Sequence, residues 1–174
     1  MKKLILSLVA VFALSFAVQA QDYDFTGGVR AGYGAAFSLE ASGQAFVNDI
    51  NRIELDLGIR FQNHLRTISD YDIYYHMGPI LSTSYQWHWF LAGGFGFFGG
   101  PAVQVSIPQW NNFGLGLGGQ LGFDYQFDAP FQIGFDFRPI YNVIGKFKGI
   151  NVEDKTRILG GFDPGFGLSL RYAF

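Results

Sequence analysis

The last ten residues, Gly165 to Phe174, place Phe166, Leu168, Leu170, Tyr172 and Phe174 at every second position, with Gly167, Ser169, Arg171 and Ala173 between them. A strand sends alternate side chains to opposite faces, so this segment has one apolar face and one small or polar face. The first can meet lipid while the second meets a polar interior. In lipid, however, every backbone N–H and C=O must find its partner within the protein. An open sheet fails that condition and a closed barrel meets it.

Other segments repeat the pattern. From Asn51 to Gln62, Ile53, Leu55, Leu57, Ile59 and Phe61 alternate with Arg52, Glu54, Asp56, Gly58, Arg60 and Gln62. That run matches a spanning strand of about 9–11 residues. From Phe113 to Phe127 the apolar phase holds Leu115, Leu117, Leu121, Phe123 and Tyr125 against Gly114, Gly116, Gly118, Gln120, Gly122, Asp124 and Gln126. So many glycines exclude a helix. After a tight turn at Asp128-Ala129-Pro130, Phe131 to Val143 alternates again, with Gln132, Gly134, Asp136 and Arg138 on the polar side.

Two weaker strands, 72–85 and 89–104, are expected to meet at a turn over Gln86 to His88. Pro79 falls inside the first and removes a ladder hydrogen bond, which predicts a bulge there or speaks against the strand. Pro139 raises the same question nearer a membrane boundary. The region 25–47 keeps one phase through Phe25, Val29, Tyr33, Phe37, Leu39 and Ala41. It is about twice the length of a spanning strand, and bacterial single-chain barrels have an even strand count, so it divides near Gly32 to Ala36. Asn48-Asp49 then makes the next turn. The result is an all-β, eight-stranded antiparallel transmembrane barrel in up-and-down order. Short turns at 48–50, 86–88 and 128–130 face the periplasm with both termini. Connections at 63–71, 105–112 and 145–163 face outward. Aromatic side chains gather at both expected interfaces: Tyr85, Trp87, Trp89, Phe127, Phe131, Tyr172 and Phe174 at one, Tyr71, Tyr74, Trp110, Phe113 and Tyr141 at the other.

The opposite end of the chain agrees. Lys2-Lys3, an uncharged apolar run from Leu4 to Val18 and the small residues before Gln21 read as a secretory leader over 1–20, leaving one domain at 21–174. The run is shorter than the roughly 20 residues of a membrane-spanning helix. There is no cysteine, so neither a disulfide framework nor a lipoprotein anchor is available. Of 12 Lys and Arg, two belong to the leader, leaving 10 against 14 acidic residues. No basic excess is present to recruit nucleic acid.

On these residues the chain resembles the small outer-membrane barrels of the OmpX and OmpA-transmembrane type, and most closely the short OmpX-like proteins of Bacteroidota. Gly28-Val29-Arg30-Ala31-Gly32-Tyr33-Gly34, Asn51 to Gly58 and the terminal Leu168-Ser169-Leu170-Arg171-Tyr172-Ala173-Phe174 carry the resemblance, which covers the whole of 21–174. It implies insertion by the barrel-assembly machinery, which in such families reads a final strand ending in an aromatic residue. Leu168, Leu170, Tyr172 and Phe174 would be that signal. It implies no activity, since fold alone supplies none.

The polar phase points Arg30, Arg52, Arg60, Arg138 and Arg171 inward together with Glu40, Glu54, Asp56, Asp124 and Asp136. An eight-stranded barrel is just wide enough for side chains to fill, so these groups are expected to pair into a plug. A charged small-solute pore is the alternative. His64 and Ser69, with Asp70 and His76, fall in or beside the second outward connection, where an imidazole and a hydroxyl could serve a lipid-modifying enzyme. Spacing does not join them, and solvated loop residues are the plainer reading. His64, His76 and His88 do not make a metal site, because His88 belongs to the opposite rim. Lys146, Lys148, Lys155 and Arg157 in the last connection could meet lipopolysaccharide phosphates. The expectation is a monomeric barrel without cofactor or catalysis, structural or binding lipid or a partner through its loops.

Overall fold

The computed structural model describes residues 24–65, 73–109, 112–145 and 161–174. The leader expected at 1–20 lies outside them. Eight strands follow in chain order: β1 Phe25–Tyr33, β2 Phe37–Asn48, β3 Asn51–Leu65, β4 Ile73–Ala92, β5 Phe95–Gln109, β6 Asn112–Gln126, β7 Phe131–Gly145 and β8 Phe162–Ala173. Each pairs antiparallel with its predecessor, and β1 pairs with β8 from Thr26↔Ala173 to Tyr33↔Phe166, closing the barrel. The Phe174 N–H donates to the Phe25 carbonyl at 2.9 Å and extends that seam by one residue.

The side chains are sorted opposite to those of a water-soluble domain. Val29, Leu57 and Leu168 are each more than half exposed on the outside, whereas Gln44, Arg52, Glu54 and Gln86 are fully buried inside. That is the sorting a bilayer demands of a barrel. The region 25–47 is two strands, broken at 34–36 as its length requires. At the next turn Asn48 Oδ1 accepts from the N–H groups of Ile50 at 3.1 Å and Asn51 at 2.8 Å. This is the local bonding that makes Asn a turn residue.

The turn expected at 86–88 is not there. Gln86, Trp87 and His88 lie within β4, and the chain reverses at Gly93-Gly94, whose φ angles are 57° and 84°. Two consecutive positive φ values make the primed turn that suits the twist of a hairpin, and glycine adopts them without steric cost. Gln86 and His88 are polar because they face the interior in phase with Ser82 and Ser84, while Trp87 and Trp89 face out. The displaced turn carries β5 onward to Gln109, which pairs with Asn112 of β6, so the third outward connection is far shorter than 105–112.

Pro79 makes no bulge. The β3–β4 ladder keeps one register from Asn51↔Trp87 to Leu65↔Ile73, and β4–β5 pairing begins only at Ile80↔Ser106. The missing N–H thus falls where β5 has already parted from β4. Pro139 lies opposite Pro164, with the β6–β7 register the same on either side of it.

At the end that holds the turns, a belt of rings runs around the outside. Trp89 stacks on Phe97 at 5.7 Å, Phe95 meets Tyr125 at 4.6 Å, Phe131 meets Tyr172 at 5.6 Å, and Phe174 bridges Tyr172 at 5.0 Å and Phe25 at 5.8 Å. At the other end Tyr33 and Tyr141 are exposed. Tyr71, Trp110 and the side chains of Tyr74 and Phe113 lie outside the described residues.

Candidate functional site

Among the described residues polar chemistry gathers in the interior, and its hub is Glu54 of β3. Its Oε2 accepts from Gln44 Nε2 at 2.6 Å, Gln86 Nε2 at 3.3 Å and Arg171 Nη2 at 3.1 Å. Its Oε1 accepts from Gln120 Nε2 at 2.8 Å and Arg138 Nη2 at 3.0 Å. These donors stand on β2, β4, β6, β7 and β8, so one carboxylate ties six of the eight strands across the lumen. A carboxylate has about four lone-pair positions, and five donors saturate it.

Toward the loop end, Arg30 grips Asp136 with two bonds, Nε to Oδ2 at 3.0 Å and Nη2 to Oδ1 at 2.7 Å, while Nη1 reaches both oxygens of Glu40 at 3.2 Å. Arg30 on β1 and Asp136 on β7 are separated by β8, and the guanidinium crosses over Gly167. A Cβ on Gly167 would strike Arg30 Nη2 and Asp136 Oδ2, so the bare backbone is what lets this pair form. Arg138 bonds Asp56 as well as Glu54, and its Nη1 lies 3.5 Å from Glu40. Arg60 pairs with Asp163 at the mouth, and Asp163 Oδ1 also accepts from the Ala35 N–H at 2.8 Å.

Toward the turn end, Arg52 Nη1 bonds Asp124 at 2.6 Å and its Nε bonds Gln86 at 2.5 Å. The same guanidinium sits 4.4 Å above the buried Phe98 ring and 5.7 Å from Phe46. His88 Nε2 lies 2.9 Å from Asp124 Oδ1, which identifies that nitrogen as the protonated donor, since a carboxylate only accepts. Arg171 completes the network through Ser42 at 3.0 Å and Ser169 at 2.8 Å.

All ten charges assigned to the interior by strand phase are therefore in it and in ion-pair contact. Sequence reasoning missed Asp163, which lay in a presumed connection, and the amides Gln44, Gln86 and Gln120. Gln44 and Gln120 had a visible inward phase, but uncharged side chains gave no reason to single them out, and Gln86 fell in the turn expected at 86–88. It also placed His64 in or beside a loop, whereas the backbone of His64 pairs with Tyr74 in the β3–β4 ladder and His76 pairs with Gln62. Ser69 and the side chains of His64 and His76 lie outside the described residues, as do Lys146, Lys148, Lys155 and Arg157. Among the described residues no group of three or more acidic, His or Cys side chains could hold a metal ion. Leu168, Leu170, Tyr172 and Phe174 all point outward.

No protein-family model and no curated protein matches the chain. Among solved structures it is similar to the crystal structure of Neisserial surface protein A, with a TM-score of 0.53 and 13% identity over 86% of this chain and 94% of that one. That likeness is one of fold: a closed eight-stranded barrel of the outer-membrane type.

Proposed function

We propose that the chain is an integral outer-membrane protein, exported by the leader at 1–20, that works as a non-catalytic monomer by presenting its outward connections to lipid or to a partner. The observation that carries this reading is the lumen itself: five arginines paired with six carboxylates around Glu54 occupy the space a pore would need. The exposed apolar wall and aromatic belt support a membrane position. Similarity of fold to an outer-membrane-type barrel supports the compartment. Leu168, Leu170, Tyr172 and Phe174 then serve as the signal for the barrel-assembly machinery, and Lys146, Lys148, Lys155 and Arg157 meet lipopolysaccharide phosphates.

The test is incubation of the refolded barrel with lipopolysaccharide and phospholipid, reading co-elution of lipid and the masses of the recovered lipids. Lipopolysaccharide should co-elute with the barrel, be lost when the four basic residues are changed to Gln, and return with unaltered mass. Acyl chains gained or lost, and restored to normal by His64→Ala, would make the protein an enzyme instead. Failure of lipopolysaccharide to co-elute would remove lipid as the ligand.

A further inference from the structure

The barrel closes where its first and last strands meet, and two features make that seam the least supported of its ladders. Every other neighbouring pair of strands is consecutive in the chain, whereas β1 and β8 meet with no connection between them. Their ladder has eight register pairs, against nine between β1 and β2 and fifteen between β3 and β4. In lipid an opened seam would leave two edges of unpaired N–H and C=O groups, a costly state and a template for another chain's strand.

Inside the barrel two arginines cross this seam in opposite directions. Arg30 of β1 passes β8 and takes both carboxylate oxygens of Asp136 on β7, at 3.0 and 2.7 Å. Arg171 of β8 passes β1, donating from Nε to Ser42 Oγ on β2 at 3.0 Å and from Nη2 to Glu54 on β3 at 3.1 Å. Each seam strand carries a bare glycine where the other's arginine goes over it. On β8 this is Gly167, whose added Cβ would strike Arg30 Nη2 and Asp136 Oδ2. On β1 it is Gly28, the register partner of both Arg171 and Ser42, so the bond between them spans β1 where it has no side chain. Both guanidinium groups also keep hold of their own side of the seam: Arg30 Nη1 bonds Glu40 on β2, and Arg171 Nη1 bonds Ser169 on β8. A planar fork with donors in several fixed directions makes such a bridge, and the point charge of a lysine does not.

A crossing elsewhere in the barrel runs one way. His88 of β4 reaches Asp124 of β6 over Gly96 of β5, and β5 has no charged residue to send back. At the seam, drawing β1 away from β8 breaks both crossings together. Arg30 leaves with β1 while Asp136 stays beyond β8, and Arg171 leaves with β8 while Ser42 and Glu54 stay beyond β1.

We infer that Arg30 and Arg171 form a reciprocal clasp that locks the β1–β8 seam: each reaches its partner only once the two strands have paired, and together they then oppose reopening. The ladder closes the barrel and the clasp keeps it closed, denying the seam edges to lipid and to a second chain.

Amide hydrogen exchange in the refolded barrel in micelles, read residue by residue, tests this. In the wild type, amides bonded across the seam should be as protected as those bonded between β7 and β8, although their ladder is shorter. Gly167→Ala keeps every charge and puts a methyl group in the path of Arg30, and Arg171→Lys keeps the charge and loses the fork. Each should speed exchange at the seam by about tenfold or more, the factor expected for a lost charged hydrogen bond, and alter the β3–β4 ladder by less than about twofold. Arg52→Lys, which disturbs a crossing away from the seam, should leave the seam amides at their wild-type rates. The clasp is overturned if Gly167→Ala and Arg171→Lys leave seam exchange unchanged, if they speed every ladder equally, or if Arg52→Lys opens the seam as much. Wild-type seam amides exchanging far faster than those between β7 and β8 would overturn it too, and that comparison stands even where a variant does not refold.

Discussion

Glu54→Gln keeps the shape of the hub side chain and removes its charge. The amide nitrogen causes least conflict at the Oε1 position, facing Gln120 and Arg138, because Arg138 keeps Asp56 and Glu40 as counter-charges. The remaining oxygen still accepts from Gln44, Gln86 and Arg171. What is lost is the carboxylate opposite Arg171, whose bonds to Ser42 at 3.0 Å and Ser169 at 2.8 Å run to uncharged hydroxyls. Leaving a buried cation without its counter-charge costs about 3–5 kcal/mol. Asp136→Asn removes as large a charge, yet Arg30 keeps two bonds to Glu40, so its cost is that of a charged hydrogen bond, about 1.5–3 kcal/mol.

Equilibrium urea unfolding in lipid vesicles, followed by fluorescence of the tryptophans, measures both, with an unchanged slope certifying that the unfolded state is comparable. The double variant Glu54→Gln/Arg171→Met should be more stable than Glu54→Gln alone, since removing the stranded charge is less costly than keeping it. A Glu54→Gln cost below about 1 kcal/mol, or one no greater than that of Asp136→Asn, would refute the assignment of Glu54 as the keystone that neutralises Arg171.

Phe174→Ala removes the ring between Phe25 and Tyr172 at the closing seam, and should lower the fraction of barrel assembled in the outer membrane, read by heat-dependent gel mobility, more than a shortened 146–160 connection does. Planar-bilayer recording of the wild-type barrel should show no unitary current steps, because side chains from six strands meet at Glu54 across the lumen; stable steps would contradict a filled lumen. Gly58→Ala should abolish refolding or cost several kcal/mol, since its Cβ would run into the Leu39 carbonyl and Glu40 Cα. Gly99→Ala, whose nearest neighbour would be 3.7 Å away, should be within about 1 kcal/mol of wild type in the same urea assay.

Strand phase was the legible part of this molecule because a barrel wall has two solvents, and each residue's polarity reports which one it faces. Arg52, Glu54 and Asp56 could be placed inside without knowing any neighbour. Hairpin positions were less legible where polarity had two explanations. Gln86 and His88 looked like a turn because turns are polar, but the same polarity arises from facing the lumen. Two signals would have separated these cases: the polar even phase running from Ser82 through Ser84 and Gln86 to His88, and the Gly93-Gly94 pair beyond it. The pairing partners were not legible at all. That Arg171 serves Glu54, or that Arg30 crosses β8 to reach Asp136, depends on tilt and stagger around the barrel, which no single strand encodes.

That stagger is where the charges and glycines act together. Alternation forbids a slip of one residue between neighbouring strands, because every side chain would change faces, but it permits a slip of two. A two-residue slip of β8 against β1 and β7 would bring Gly165 or Ser169 to the position of Gly167. Ser169 carries the Cβ that the crossing Arg30 guanidinium excludes, so that slip would break the contact with Asp136. Slipping β3 against β2 in the same way would replace Gly58 opposite Glu40 by Asp56 or Arg60, where a Cβ meets backbone. It would also carry Glu54 away from Gln44. The bare glycines therefore oppose the β8 slip that brings Ser169 forward and both β3 slips, while the β8 slip that brings Gly165 forward is opposed by the loss of the Arg171–Glu54 pair. The side chains that fix register in this way are the same ones that meet across the lumen at Glu54.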